Sequence, residues 1–461
     1  MGHVLTPFLE PQKVAVVGVS KTINKPGYII LKNLKEFGYS GEVFPVNPMG
    51  GNILGYEVYK SLEDLPDNID LAVSLIPADE TIELLKQCAE KGIMNVLLVS
   101  GGFSESGEKG VQLQNDVVEL ARQNGQRLMG PNAVGPVNTV NNLVLPFYPI
   151  EYLHKGGASF VSQSGQFCCP VLEFSNSTLQ LGASKSIDLG NCCDIDESDA
   201  MEYLVEDPQT SVISIYMESI REGKRFWEVS KEVAPKKPVV VFKTGRTEEG
   251  LKTASSHTGA IAVDDTVFDA ALRQSGIIRA GELEEFLDFT KTFDFLDLPK
   301  GNRVAIITFS GGIGSIVADA CESSGLKLAQ FSKDTTEKIR PILPPSTRIS
   351  NPLDCFSAGV ATDMAGVYGV PIKAFMEDEN VDIILSCFMV NRIWPIDFNR
   401  LADELKPLQT KPLAAWIVGG DDLMREATRT LDKKRIPVFA SPERAIRSLG
   451  ALWRYSFSSG K

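Results

Sequence analysis

The residue with the most chemistry in its setting is His257, in the run Ser255-Ser256-His257-Thr258-Gly259-Ala260. The chain has three histidines, His3, His154 and His257, and only the last sits among hydroxyls and glycines between two periodic segments. An imidazole with a pKa of roughly 6.5 is largely neutral at pH 7 and can act as a nucleophile. Residues 243–260 are rich in small side chains, and a mobile segment could carry the ring between two reaction centres. The plain alternative is a histidine that merely hydrogen-bonds in a surface loop.

Two further runs could handle an anion. Ser162-Gln-Ser164-Gly165-Gln166 follows a strand expected at 157–161 and opens a helix expected from Phe167 to about Phe174. Ser310-Gly311-Gly312 follows a strand expected at 302–309 and opens a helix expected at 313–323. A small-residue turn at a helix start leaves N–H groups pointing outward, where the helix dipole favours negative charge. Such turns also occur simply as helix caps. Glu218 closes a strand expected at 211–217, on the rim that carries Ser164 and Gly165. A carboxylate there could hold one ring nitrogen of a histidine as a donor and stabilise the charge that develops. Taken alone it reads equally as a solvated strand end. Two helix starts of this kind, facing each other with His257 between them, would grip a phosphoryl group from both sides.

The elements that would position these residues alternate strand and helix along the chain, which predicts an α/β protein of three consecutive parallel-sheet domains, at 1–145, 146–297 and 298–461. In the first, strands are expected at 13–18, 42–46, 70–76, 95–99 and 126–129. Ligands of such sheets bind beyond the carboxyl ends of the strands. Gly18, Ser20, Asn47, Pro77, Gly102, Phe103 and Asn132 fall there. The turn Gly18-Val-Ser20-Lys-Thr-Ile-Asn-Lys25-Pro-Gly lacks G-x-G-x-x-G, and Asn47-Pro48 stands where a dinucleotide fold has an acidic residue for the ribose diol. NAD is therefore not expected. Lys25 could pair with a phosphate, or could be an ordinary surface charge.

The bulk numbers fit this picture. A chain of 461 residues suggests about three domains. The net charge of −13, with no basic run, argues against nucleic acid and anionic membrane as partners. No apolar run approaches the roughly 18 residues of a membrane span, and the N-terminus lacks the pattern of an export signal, so a cytoplasmic location is expected. The eight cysteines include two adjacent pairs but no C-x-x-C, and buried free thiols are expected rather than a metal site or disulfides. Asp194, Asp196 and Asp199 could suggest a metal but read better as a solvated acidic turn capping a helix from about Ser198. Cys355 reads as a buried thiol rather than a nucleophile.

The runs GVSKTINKPGYIILKNL, VFPVNP, SLIPA, SGGFSESG, GPNAVGPVN, KTGRT, SHTGA, YMES and NPLD resemble the succinyl-CoA synthetase superfamily. Within it they are most similar to the ADP-forming acetyl-CoA synthetases, also called nucleoside-diphosphate-forming acyl-CoA synthetases. The resemblance implies a Rossmann-like CoA-binding domain, then a succinyl-CoA-synthetase-like domain and a second flavodoxin-like ligase domain. It implies that Gly18, Ser20, Lys25, Asn47, Pro48, Ile76 and Asn132 bind coenzyme A. It makes His257 a phosphohistidine and Glu218 its partner, with Ser164, Gly165, Gln166, Gly311 and Gly312 holding phosphate. Ala133 departs from the cysteine that relatives often carry after GPN, but keeps a small residue there.

The chain shows no G-x-x-x-x-G-K-[ST] loop and no segment after the third domain for an ATP-grasp fold. The expectation is an alpha subunit whose ATP-grasp beta partner supplies the site for ADP, ATP and magnesium, in a heterotetramer. The expected reaction converts acyl-CoA, ADP and phosphate into acid, ATP and CoA through an acyl phosphate and phosphohistidine. The alternatives are a CoA-binding regulatory protein without chemistry, a succinyl-CoA synthetase alpha-like chain, and part of a protein acetyltransferase.

Overall fold

The computed structural model describes residues 2–250, 264–359 and 363–460. His257 and the run around it lie outside the described residues. The chain divides into two compact units, Met1–Arg279 and Ala280–Lys461.

Among the described residues, the first unit contains two large sheets and a two-stranded antiparallel one, Gly51–Ile53 with Tyr56–Val58. Strands β1 (Lys13–Val17), β2 (Glu42–Val46), β3 (Leu71–Ser74), β4 (Asn95–Leu98) and β5 (Arg127–Met129) pair in the order β2-β1-β3-β4-β5, all parallel. Helices α1 (Pro26–Glu36), α2 (Thr81–Glu90) and α3 (Glu108–Asn124) connect them. Each strand is apolar on both faces. Val14, Val16, Val73 and Leu97 enter one core cluster, while Ala15, Val17, Ala72, Val96 and Leu98 enter the other. That two-residue alternation with apolar residues on both sides is what a sheet covered on both faces requires. Each fully buried aliphatic side chain contributes about 1.5–3 kcal/mol of transfer free energy.

The second sheet takes β6 (Val137–Asn138), β7 (Leu143–Val144), β8 (Lys155–Ser162), β9 (Ala183–Asp188), β10 (Val212–Met217), β11 (Val239–Lys243) and β12 (Ile278–Ala280) in the order β12-β11-β10-β8-β9-β6-β7. Its centre is parallel, and an antiparallel β6–β7 hairpin closes one edge against β9. Helices α4 (Gly165–Ser177), α5 (Glu197–Glu206), α6 (Gly223–Val233) and α7 (Asp265–Ser275) accompany it. Helix α4 begins two residues before and ends three after the span read from the sequence. Its polar end is buried, and there Ser175 Oγ donates to Val171 O at 2.7 Å and Asn176 Nδ2 to Leu172 O at 2.8 Å, which satisfies both side chains.

The second unit opens with α8 (Leu283–Phe295). It then builds β13 (Arg303–Thr308), α9 (Gly311–Ser323), β14 (Lys327–Leu328), β15 (Leu353–Asp354), α10 (Met364–Glu377), β16 (Ile383–Val390), α11 (Phe398–Leu405), β17 (Leu413–Gly419), α12 (Asp421–Lys433), β18 (Val438–Phe439) and α13 (Pro442–Ser459). The sheet order is β14-β13-β16-β17-β18, with β15 alongside β13. Helix α8 is tied to α13 through Arg444, whose Nε donates to Asp288 Oδ2 at 2.6 Å.

All three large sheets therefore share one plan. In each of these large sheets the first strand of the parallel set has later strands on both sides, β1 between β2 and β3, β8 between β9 and β10, and β13 between β14 and β16, which is the topological switch point where open α/β sheets bind ligands.

Candidate functional site

The first rim forms where β1 ends. Gly18 takes a left-handed backbone at φ 90°, and its N–H donates to Val46 O at 3.0 Å. The turn then runs through exposed residues to Lys25, which precedes α1 in an extended conformation. Pro26 opens that helix and no side chain caps it. Gly27 packs so tightly that a Cβ on it would lie 2.7 Å from Val19 Cα. Asn47 fastens the turn to β2, donating from Nδ2 to Val19 O at 2.8 Å and accepting Met49 N–H at 2.9 Å. Ser20 Oγ accepts Thr22 N–H at 3.2 Å. Ile76 follows β3, and its carbonyl accepts Ser100 Oγ at 2.6 Å; Asn132 N–H donates to Ser100 O at 3.1 Å. Gly18, Ser20, Lys25, Asn47, Pro48, Ile76 and Asn132 thus all lie on one rim, knit together through Asn47 and Ser100. An uncapped helix start beside an exposed lysine suits a phosphate.

The second rim joins the ends of β8 and β10, whose register pairs Ser162 with Tyr216. Ser162 Oγ accepts Ser164 N–H at 3.0 Å and donates to Ser164 O at 3.0 Å, a local turn that sets up α4. No side chain caps α4, so none supplies an acceptor for the first N–H groups at Gly165 and Gln166. Glu218 follows β10 and is half-buried. Its Oε1 accepts Tyr216 Oη at 3.1 Å, and the Tyr216 ring stacks on Phe167 of α4 with centroids 3.9 Å apart. Burial, first of all, pushes the Tyr216 phenol up to about 12. The structure therefore brings Glu218 and the Ser164–Gly165 turn onto one rim.

Two carboxyl groups near this rim were not picked out from the sequence. Asp188 ends β9 with no exposure to solvent; its Oδ2 accepts Val134 N–H at 2.6 Å and its Oδ1 has no hydrogen-bond partner. Burial raises it to about 7, the Val134 and Gly190 amides oppose that rise, and the charge of Glu218 adds to it. Glu197, at the first turn of α5, is also raised by burial, to about 8. A single aspartate at a strand end gives no sign in sequence of being buried.

Asp196 caps α5 through the N–H groups of Ser198 and Asp199, and Asp199 returns the bond to Asp196 N–H. The acidic turn is thus a helix cap as expected, but it is not solvated. Asp196 and Asp199 are buried against Arg225, whose guanidinium reaches both and Glu202 as well. Among the described residues no group of three or more His, Cys, Asp or Glu side chains could hold a metal ion. All eight cysteines are buried and free. Cys355 is pushed up to about 12 by burial, which makes it a poor nucleophile.

In the second unit the turn before α9 repeats the device. Thr308 Oγ1 accepts Ser310 N–H at 2.8 Å and donates to Ser310 O at 2.6 Å, and α9 again starts without a side-chain cap. Gly311 and Gly312 are exposed. Asn351 fills the gap beside β13: its Oδ1 accepts Ile306 N–H at 3.0 Å, and its Nδ2 donates to Val304 O and Ala329 O. A cleft of about 640 Å3 along α12 is lined by Asp421, Arg425, Arg429 and Lys433, and none of the residues picked out from the sequence lines it.

Comparison with known proteins matches this layout. The family model described as "CoA binding domain" matches residues 12–139, "Succinyl-CoA ligase like flavodoxin domain" residues 155–293 and "Ligase-CoA domain" residues 304–461. The class is therefore that of the CoA ligases built from a CoA-binding domain and flavodoxin-like ligase domains. An ADP-forming acetate–CoA ligase II of Archaeoglobus fulgidus is 39% identical over 447 residues, 97% of this chain and 66% of its own length. The ADP-forming acetate–CoA ligase II subunit alpha of Pyrococcus furiosus is 36% identical over 450 residues, 96% of each chain. The structure of the Ca. Korarchaeum cryptofilum dinucleotide-forming acetyl-coenzyme A synthetase 1, in complex with phosphate and ADP, superposes with a TM-score of 0.92 at 31% identity, covering 99% of this chain and 97% of that one. The chain belongs to the ADP-forming acetate–CoA ligase family. It spans 66% and 64% of the length of the two Archaeoglobus relatives.

Proposed function

We propose that this chain, with a partner carrying the nucleotide site, catalyses acyl-CoA + ADP + phosphate ⇌ carboxylic acid + ATP + CoA. The observation that carries the reading is the rim at the ends of β8 and β10, where an uncapped helix start stands beside Glu218. Family membership supports it. Phosphate held at Ser164, Gly165 and Gln166 attacks the thioester carbonyl; a C–O bond forms, the C–S bond breaks, and CoA leaves as its thiol. His257 then attacks phosphorus of the acyl phosphate and the carboxylate departs. ADP takes the phosphoryl group from the ring, with magnesium, at the partner's site. Glu218 orients the ring and stabilises its charge. A covalent relay divides one difficult transfer into easier ones.

Coenzyme A belongs, in this reading, to the first rim, through Gly18, Ser20, Lys25, Asn47, Pro48, Ile76 and Asn132. The Pyrococcus relatives, matched over nearly their whole length, are named alpha subunits, which supports a separate partner. An ATP-grasp beta subunit in a heterotetramer, working in the cytoplasm, completes the proposal. No described helix is long and apolar enough to cross a membrane. The test is His257→Ala, which should bind CoA normally yet take up no labelled phosphate from acyl-CoA and inorganic phosphate. A variant that still makes ATP at the unmodified rate would remove His257 from the mechanism.

A further inference from the structure

Gln163 stands between the two serines of the turn that opens α4, and its side chain spans the rim. Its Oε1 accepts two consecutive backbone N–H groups, of Glu218 at 2.7 Å and Ser219 at 3.0 Å. Its Nε2 donates to Ser219 O at 2.9 Å and, on the other side, to Glu197 Oε1. The main chain adds Gln163 N–H to Tyr216 O at 3.3 Å.

We propose that Gln163 is the positioning residue for Glu218, fixing the distance between that carboxylate and the phosphate-binding start of α4. The proposal rests on the reading of Glu218 as the partner of His257.

The side-chain type is specified by the bonds. The clamp needs, at one terminus, an acceptor for two amides and two donors, one for Ser219 O and one for Glu197, which among the side chains only Asn and Gln supply. Asn is one methylene short of the same reach. An ionised Glu offers acceptors to the amides but cannot donate to Ser219 O. The anchor is itself rigid, because Glu197 is 3% exposed on the first turn of α5. Burial raises its carboxyl to about 8, and its Oε1 is the acceptor for Gln163 Nε2. Since Ser164 follows Gln163 directly, one residue both leads into the anion site and grips the backbone of the carboxylate. A group that orients a catalytic side chain in this manner shows up in turnover rather than in binding.

The experiment is a quench-flow measurement of phosphoryl incorporation at His257 from acyl-CoA and inorganic phosphate, with the full chain and its partner. Gln163→Met, of similar length but without the bonds, should slow incorporation by about 10- to 100-fold while the KM for phosphate and the affinity for CoA stay within about twofold. Gln163→Glu should retain activity at low pH, where its protonated acid can still donate, and lose it as pH rises. In a Glu218→Gln background, Gln163→Met should add little further loss, because the two act as one unit. Full additivity in a strongly impaired Glu218→Gln background would overturn the role of Gln163 and leave the proposed function standing. A Glu218→Gln variant that phosphorylates His257 at the normal rate would overturn both. Equal loss in phosphate KM and in turnover, with no pH effect in Gln163→Glu, would reduce Gln163 to an ordinary structural residue.

Discussion

Gly165 and Asp188 compete for one space: a Cβ on Gly165 would lie 3.0 Å from Asp188 Oδ2 while overlapping Val134 Cγ1. The start of α4 is thus glycine because Val134, with Asp188 of β9 beside it, fills the place of a side chain. Gly165→Ala should destabilise the protein by about 1–3 kcal/mol, since the core must shift to admit a methyl group, and should weaken phosphate binding as the helix start moves. The chemically similar Gly311 has open space, with Asp354 Oδ2 at 3.9 Å as the neighbour a Cβ would meet. Gly311→Ala should therefore stabilise by about 0.5 kcal/mol, through the lower entropy of the unfolded chain. Urea midpoints of the two variants should move in opposite directions; movement in the same direction would sink the steric account.

Asp188 makes stability depend on pH with a definite sign. Its folded-state pKa, about 7, lies above the ordinary 3.8. Between these values the native state holds a proton that the unfolded state has lost, so stability falls as pH rises from about 4 to 7 and is then level. Asp188→Asn removes the ionisation and keeps an oxygen for Val134 N–H. Its advantage over the unmodified protein should grow across that window, up to about 4 kcal/mol at 1.36 kcal/mol per pKa unit. Denaturant titrations at pH 4.5, 6 and 7.5 measure it; a difference independent of pH would show that Asp188 is ionised throughout.

Arg225 neutralises the two buried carboxylates that cap α5, donating to Asp196 Oδ1 at 3.0 Å and Asp199 Oδ1 at 2.8 Å. Removing one partner leaves buried charge uncompensated, although Arg225 itself is partly exposed, which moderates the cost. Arg225→Met should cost about 2 kcal/mol at pH 7. The loss should shrink at pH 4.5, because burial already raises Asp196 and a protonated carboxyl needs no counter-charge. A loss that is larger at pH 4.5 than at pH 7, by urea denaturation, would contradict this.

These cases also show what the amino-acid order discloses. The central strands are apolar runs ended by Gly, Asn or Pro, so their identity and the rim residues that follow them could be read directly. Glu218 and Ser164 could be assigned to one rim because each ends a strand in an alternating pattern. Gln163 could not be singled out, because its contact with Glu218 depends on the register between β8 and β10, which no local pattern specifies. Asp196 and Asp199 were legible as a cap but not as buried, since Arg225 lies a helix away in sequence. Helix α10 was hidden by its composition: Gly366, Gly369 and Pro371 suggest a loop, whereas burial of Val367, Tyr368, Ile372 and Phe375 overrides that preference.

Gly27 gives the sharpest test of the first rim. An added Cβ would lie 2.7 Å from Val19 Cα, 3.2 Å from Leu75 Cδ1 and 3.3 Å from Gly18 O. Two of these neighbours are backbone atoms and cannot swing aside, so Gly27→Ala must drive α1 away from the turn that leads into it. The uncapped N-terminus then recedes from Gly18 and Lys25, and a phosphate loses the amides that would face it. CoA affinity should fall by about tenfold, or ~1.4 kcal/mol, with a loss of stability of about 1–3 kcal/mol. Lys25 is exposed, so Lys25→Met should weaken CoA without altering stability, and the weakening should be greater at low salt than at high salt. Calorimetric titration with CoA at two salt concentrations separates steric from electrostatic contributions. Unchanged affinity in both variants would move the CoA site off this rim.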